Sequence, residues 1–262
     1  MTQSASEEYD IHLALIGGVA FDFVGPCDQL NIYTPYGDVI VYLSDIGGKK
    51  IALIPRHRYN DNHVPPHMIN YRANIHALKE LGIKRIIATN SVGTMKNHPV
   101  GSFFLPDDFI DFTSNRSATF FDEKTVHLDV SEPYCPELRI VSREILTRRN
   151  IGFSEGVYVC TEGPRFETKA EIRMMGQFGD VVGMTGIPEL VLAREMNMCY
   201  LSICTVTNDA CGSGSSKMTV SEVLDVLKGT NENLKILLMD IIDSLPEKRS
   251  CNCIMATFDA TL

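Results

Sequence analysis

Residues 161–209 read TEGPRFETKAEIRMMGQFGDVVGMTGIPELVLAREMNMCYLSICTVTND. The GPRFET turn opens a helix that carries Glu167, Glu171 and Arg173. An apolar run, VVGMTGIPE, then ends in a small-residue turn. A second helix follows in PELVLAREM, and CYLSICTVTN reads as a buried strand ending in polar residues. Small and polar groups gathered at the carboxyl ends of buried strands are how α/β proteins build a ligand site.

Working outward, HLALIGGVAF reads as a buried strand closed by a glycine turn. Residues 39–54 read as two strands joined at Gly47-Gly48, a hairpin. INYRANIHALKELGI places Ile69, Ala73, Ile75, Leu78 and Leu81 near helical spacing, with Gly82 as its stop. RIIATNSVGTM, residues 103–112 and VYVCTEGP read as further strands, and ELRIVSREILTRRN as a helix. Residues 113–136 form a long irregular loop, of a length that usually carries a function. A long C-terminal helix is expected over SEVLDVLKGTNENLKILLMDIIDSL, with an interruption near Gly229. Alternating strands and helices predict an α/β fold: a single domain over residues 11–262 with a central mixed β-sheet flanked by helices, preceded by a flexible tail over 1–10.

The chain has 262 residues, 44% hydrophobic, enough for one sizeable core. Its net charge of −9 and lack of a Lys/Arg-rich run exclude a nucleic-acid binder. An anionic ligand must therefore be captured by a local site. No apolar run approaches the roughly 20 residues of a membrane span, and the start is too polar for a signal peptide, so a soluble cytoplasmic protein is expected. Eight cysteines include no CxxC pair and no His/Cys cluster of zinc-site spacing, so no metal site is expected. They read as small buried hydrophobes, with Cys251-Asn-Cys253 the odd pair.

The order and wording of these motifs, over roughly residues 11–245, resemble the trimeric nucleoside phosphorylases, the family that includes purine nucleoside phosphorylase and methylthioadenosine phosphorylase. The resemblance implies a homotrimer or dimer of trimers acting on a purine nucleoside and inorganic phosphate. Phosphate is then a co-substrate, and no cofactor is needed. It places Gly18, Val19, Arg56, His57, Ser91 and Thr185 around the phosphate. An arginine fork with an imidazole donor suits an oxyanion, although an Arg-His pair is otherwise an ordinary surface feature. Phe166 matches the aromatic on the purine, Met184 the methionine on the ribose, and His127 a loop histidine lent to the 5′ end of a neighbouring subunit's nucleoside. Phe and Met are more often plain core residues.

Asn208 and Ala210 set purine specificity in this reading. Methylthioadenosine phosphorylases carry carboxylates at both positions. Members acting on 6-oxopurines carry Asn at the first, which donates to O6 and accepts from a protonated N7. Asn208 and His57 are therefore the expected catalytic groups. The expected reaction is phosphorolysis of 5′-methylthioinosine, inosine or guanosine, with S-methyl-5′-thioadenosine phosphorolysis or a catalytically weak nucleoside-binding relative as alternatives. Three departures from the family pattern stand out: Val19 replaces a Thr or Ser, Arg58 a Gly, and Ala118 a frequent His. Some heat-adapted archaeal members carry a C-terminal CxC and intrachain disulfides, which leaves the redox state of the cysteines open.

Overall fold

Strand β1 (Leu13–Gly17) is buried at every residue, as expected of a strand covered on both faces. Ala14 and Ile16 pack into one core cluster, Leu13 and Leu15 into another on the opposite side. This is a computed structural model, and it describes residues 10–18, 27–59, 62–211 and 219–261. The tail expected over 1–10 thus lies, save its last residue, outside the described residues, as does Val19.

The chain continues through β2 (Cys27–Thr34), β3 (Gly37–Ile46) and β4 (Lys49–Pro55), then a short hairpin of β5 (Arg58–Tyr59) and β6 (Asn62–His63). Helix α1 (Tyr71–Glu80) leads to β7 (Arg85–Thr94) and β8 (Phe103–Phe112), and α2 (Pro136–Arg148) to β9 (Phe153–Thr161). The last elements are α3 (Lys169–Met175), β10 (Val181–Gly183), α4 (Glu189–Glu195), β11 (Cys199–Asp209) and α5 (Val220–Ser244).

Nine strands form one mixed sheet in the order β10-β9-β8-β11-β7-β1-β4-β3-β2. Strands β4, β1, β7 and β11 run parallel at its centre, while β2, β3 and β4 form an antiparallel meander at one edge. Strand β7 pairs with β1 along its first half and, antiparallel, with β10 at Gly93 and Thr94. That last pairing closes β7, β11, β8, β9 and β10 into a ring. The α1 and α4 side chains cover one face, those of α2 and α5 the other. The single-domain α/β fold with a mixed sheet is as the sequence leads one to expect.

Local differences have local causes. Helix α3 begins at Lys169, because Thr168 caps it and Glu171 completes a capping box. Glu167 therefore stands before the helix, not on it. Helix α5 runs unbroken through Gly229, where a single glycine costs only about 1 kcal/mol. The β2 strand escaped the sequence reading because its residues are mostly exposed and only Leu30 and Ile32 alternate toward the core, too short a pattern to stand out. Among the described residues no helix is long and apolar enough to cross a membrane.

Candidate active site

The carboxyl ends of β1, β4, β7, β10 and β11 converge on one cavity of about 200 Å³, with the β9–α3 turn and the first turns of α5 at its border. A larger hollow of about 960 Å³ lies at the amino ends of the same strands, around His12, Lys84 and Met198. The smaller cavity is the better candidate, since ligands of parallel α/β sheets bind at strand carboxyl ends, where loops converge polar groups. Of the residues expected from the sequence, Gly18, Arg56, His57, Ser91, Phe166, Met184, Thr185, Asn208 and Ala210 all line it.

At one end of the cavity Arg56 is buried and gives three of its five N–H donors to the protein. Its Nε and Nη2 donate to the two carboxylate oxygens of Glu189, each at 2.7 Å, and Nη1 donates to the Thr89 carbonyl at 2.9 Å. Neither side chain of the ion pair reaches solvent, and Tyr200 adds a hydroxyl to the same carboxylate at 2.8 Å. Burial by itself would lower the Arg56 pKa, but the Glu189 charge outweighs it and the net direction is up. The arginine is thus a locked cation whose charge Glu189 largely balances.

The Gly18 amide donates to Thr89 Oγ1 at 3.0 Å. A Cβ at Gly18 would fall 2.9 Å from the Thr89 carbonyl oxygen, so the turn requires glycine.

His57 differs from the expected imidazole donor. Its Nδ1 lies 2.9 Å from the Val64 carbonyl, which can only accept, so Nδ1 carries the proton. Burial, then the nearby Arg56 charge, hold its pKa at about 4. The ring is neutral at pH 7, and Nε2 presents a lone pair. His57 can therefore only accept at Nε2, not donate.

Thr185 is oriented by a chain of amide and hydroxyl groups. Ser202 donates to Asn90 Oδ1 at 2.7 Å, and Asn90 Nδ2 donates to Thr185 Oγ1 at 2.8 Å. Because Oγ1 accepts from Asn90, the Thr185 hydroxyl proton turns elsewhere, and the residue lines the cavity. Asn90, absent from the sequence reading, is the positioning group.

At the other end, the β11 register shifts between Val206 and Asn208, which turns the strand terminus. Asn208 Oδ1 accepts from Thr207 Oγ1 at 2.8 Å, and its Nδ2 donates to the Asp209 carbonyl at 2.9 Å, so the amide orientation is set. Ala210 is buried and presents only a methyl group. Asp209 is exposed and does not line the cavity.

Glu167 is the group that sequence reasoning missed as a site residue. It is 7% exposed, lines the cavity and accepts from Thr161 Oγ1 at 2.6 Å. A carboxylate kept buried in a ligand cavity is costly without a function or partner to offset it. Its signal was present in FET: an acid immediately after an aromatic, before a helix cap. The neighbouring turn is tight: Gly163 has φ +65°, and a Cβ there would lie 2.6 Å from Met184 Sδ.

His127 does not join this group. It is exposed, and its amide donates to the Ala260 carbonyl at 2.7 Å. Arg58 is exposed and borders an adjoining hollow with Arg56 and Asn70, so it adds no charge to the cavity wall. The long loop is pinned at Arg116, whose guanidinium donates to the Ile187 and Glu162 carbonyls at 2.6 Å each.

With this geometry in view, the comparisons with known proteins are decisive. A family model described as the phosphorylase superfamily matches residues 12–243. The chain belongs to the phosphorylase superfamily. It is 52% identical over 257 residues to a probable S-methyl-5′-thioinosine phosphorylase of Methanosarcina acetivorans, covering 98% of this chain and 99% of that one. It is 43% identical to the 6-oxopurine nucleoside phosphorylase of Pyrococcus furiosus, covering 95% and 98% of the two chains. Among solved structures it resembles the adenine complex of methylthioadenosine phosphorylase from Schistosoma mansoni, with a TM-score of 0.88, 27% identity, and 96% and 99% of the chains covered.

Proposed function

We propose that this superfamily member is a 6-oxopurine nucleoside phosphorylase, a pentosyltransferase that splits 5′-methylthioinosine, inosine or guanosine into free base and the sugar 1-phosphate. The observation that carries this reading is the polar edge of the cavity: the Glu167 carboxylate, the Asn208 amide and the methyl of Ala210. A 6-oxopurine presents N1–H as a donor and O6 as an acceptor. A carboxylate accepts from the first, and an amide N–H donates to the second. A 6-aminopurine presents a lone pair at N1, which a carboxylate repels, and an amino group for which Ala210 offers no acceptor. Mismatches of this kind discriminate strongly because polar groups are left buried and unpaired.

Phosphate attacks C1′ as the C1′–N9 bond breaks. The bonding pair leaves with the purine, and the sugar passes through an oxocarbenium-like state stabilised by the phosphate anion. Asn208 Nδ2 donates a hydrogen bond to the charge that accumulates at O6. The Thr185 hydroxyl donates to a phosphate oxygen, with Ser91 beside it. Gly18, whose own amide is given to Thr89, lets the phosphate approach the backbone closely, and His57 Nε2 accepts the P–O–H proton of monohydrogen phosphate. Met184 and Phe166 pack on ribose and purine. This scheme forms no covalent enzyme intermediate, and inorganic phosphate is its co-substrate. Pro66, Val220, Val223 and Leu224 give part of the cavity an apolar wall, which favours a methylthio group at C5′ over a hydroxyl. His127, exposed on its loop, completes the 5′ end of a neighbour's site in a homotrimer or dimer of trimers.

The adenine-nucleoside alternative has one observation in its favour: a relative from Thermofilum pendens, 42% identical, is an S-methyl-5′-thioadenosine phosphorylase. Paired variants decide between them. Glu167→Gln should lower kcat/KM for 6-oxopurine nucleosides by about 10- to 100-fold, with a smaller loss for adenine nucleosides. Asn208→Asp should shift the ratio of the two toward adenine nucleosides by about tenfold or more. Unchanged ratios in steady-state kinetics of both variants would refute the assignment.

A further inference from the structure

Four cysteines that are scattered in the sequence meet at one point, away from the cavity. Cys135 precedes α2, Cys199 opens β11, Cys251 caps a turn of 3-10 helix (Asn252–Met255) near the C-terminus, and Cys253 lies within that turn. Their Sγ atoms all lie within 4.8 Å of one another, and none of the four is in a disulfide. Cys135, Cys199 and Cys253 are 0%, 0% and 2% exposed. Zinc–sulfur bonds of about 2.3 Å place the sulfurs of a tetrahedral site about 3.8 Å apart. Cys199 and Cys251 are already at 3.3 Å, so small side-chain adjustments close the tetrahedron.

The surroundings suit a site of net negative charge. Arg249 Nη1 lies 3.9 Å from Cys199 Sγ and is held there by the Asn197 carbonyl at 2.9 Å. Arg194 is only 7% exposed, its Nε and Nη1 have no hydrogen-bond partner, and its charge acts on Cys253. A buried guanidinium with orphaned N–H groups is costly in a neutral setting. A zinc tetrathiolate, with two net negative charges, offsets that cost.

We propose that Cys135, Cys199, Cys251 and Cys253 form a structural Zn²⁺ site. The ion displaces the thiol protons to solvent, four sulfur–zinc bonds form, and no oxidant or reductant takes part. The site tethers the C-terminal tail to the amino end of β11 and the start of α2. The tail, anchored by Asn197, whose Nδ2 donates to Thr257 at 2.9 Å, in turn holds the His127 loop: Ala260 accepts from the His127 amide and Thr261 bridges to Val126.

The test is metal analysis of the full-length protein, purified without chelators under reducing conditions. About one zinc per chain is expected, released in step with titration of the thiols by a mercurial. The Cys251→Ser/Cys253→Ser double variant should lose it, and Cys27→Ser, at an exposed cysteine, should keep it. Reduced wild-type protein that retains no zinc after loading and gel filtration would overturn the proposal. So would wild-type protein whose four cysteines isolate as two disulfides. Both results are read on the wild-type chain, so neither depends on whether the double variant folds.

Discussion

At the residue scale the site is defined by which groups have already spent their hydrogen-bonding capacity. Arg56 has given three of its N–H donors to Glu189 and Thr89, so it acts on a ligand through a nearly balanced charge. His57 is held neutral with its proton on Nδ1, which makes Nε2 an acceptor. That state has a consequence for stability. With a folded pKa near 4 against an ordinary 6.5, the unfolded chain takes up the proton first as pH falls. His57 therefore leaves stability untouched above about pH 6.5 and destabilises progressively down to about pH 4, by roughly 3 kcal/mol at most. Urea denaturation at pH 7 and pH 4.5 should show a loss that is smaller in His57→Asn than in the parent. An equal loss in both would mean that the ring is not held neutral. Arg56, His57, Asn208 and Ala210 were legible in the sequence because motif order placed them. The proton on Nδ1, the Glu189 partner and the Asn90–Thr185 contact were not, because each joins segments distant in sequence.

At the element scale the β9–α3 turn carries the most function per residue. It presents Phe166 and Glu167 to the cavity and ends in the Thr168–Glu171 capping box. The Arg165 fork on Glu171 pulls that carboxyl down to about 2, so the box stays intact in mild acid. Thr168→Ala should cost about 1 kcal/mol in thermal or urea unfolding. It should also raise KM for the nucleoside more than KM for phosphate, because Phe166 and Glu167 on this turn are proposed to meet only the nucleoside. Equal effects on both constants would mean that the turn serves the fold alone. Strands and helices with clear periodicity were read correctly from the sequence. The start of α3 was misplaced because FETKAE is a plausible helical run until Thr168 is recognised as its cap. Strand β2 was missed because an edge strand with only Leu30 and Ile32 turned inward leaves too short an apolar alternation to betray it.

At the scale of the whole molecule, the ring formed by β7, β11, β8, β9 and β10 gathers strand ends from across the chain around one cavity. That closure depends on the β7–β10 pairing at Gly93 and Thr94, which no local pattern announces. The same holds for the four-cysteine cluster: no CxxC pair announces it in the linear sequence, yet the fold gathers its members from three places. Within one chain His127 stays outside the cavity, so its proposed role requires a neighbour. His127→Ala should raise KM for 5′-methylthioinosine several-fold while leaving oligomer mass, measured by light scattering, unchanged. A monomeric parent protein, or a variant with parental kinetics, would remove His127 from the site.

The most direct measurement is free-base release from 5′-methylthioinosine, inosine, guanosine and 5′-methylthioadenosine, with and without inorganic phosphate. The account predicts hypoxanthine or guanine only when phosphate is present, fastest from 5′-methylthioinosine, with little adenine. Preferential release of adenine, or release that ignores phosphate, would contradict it.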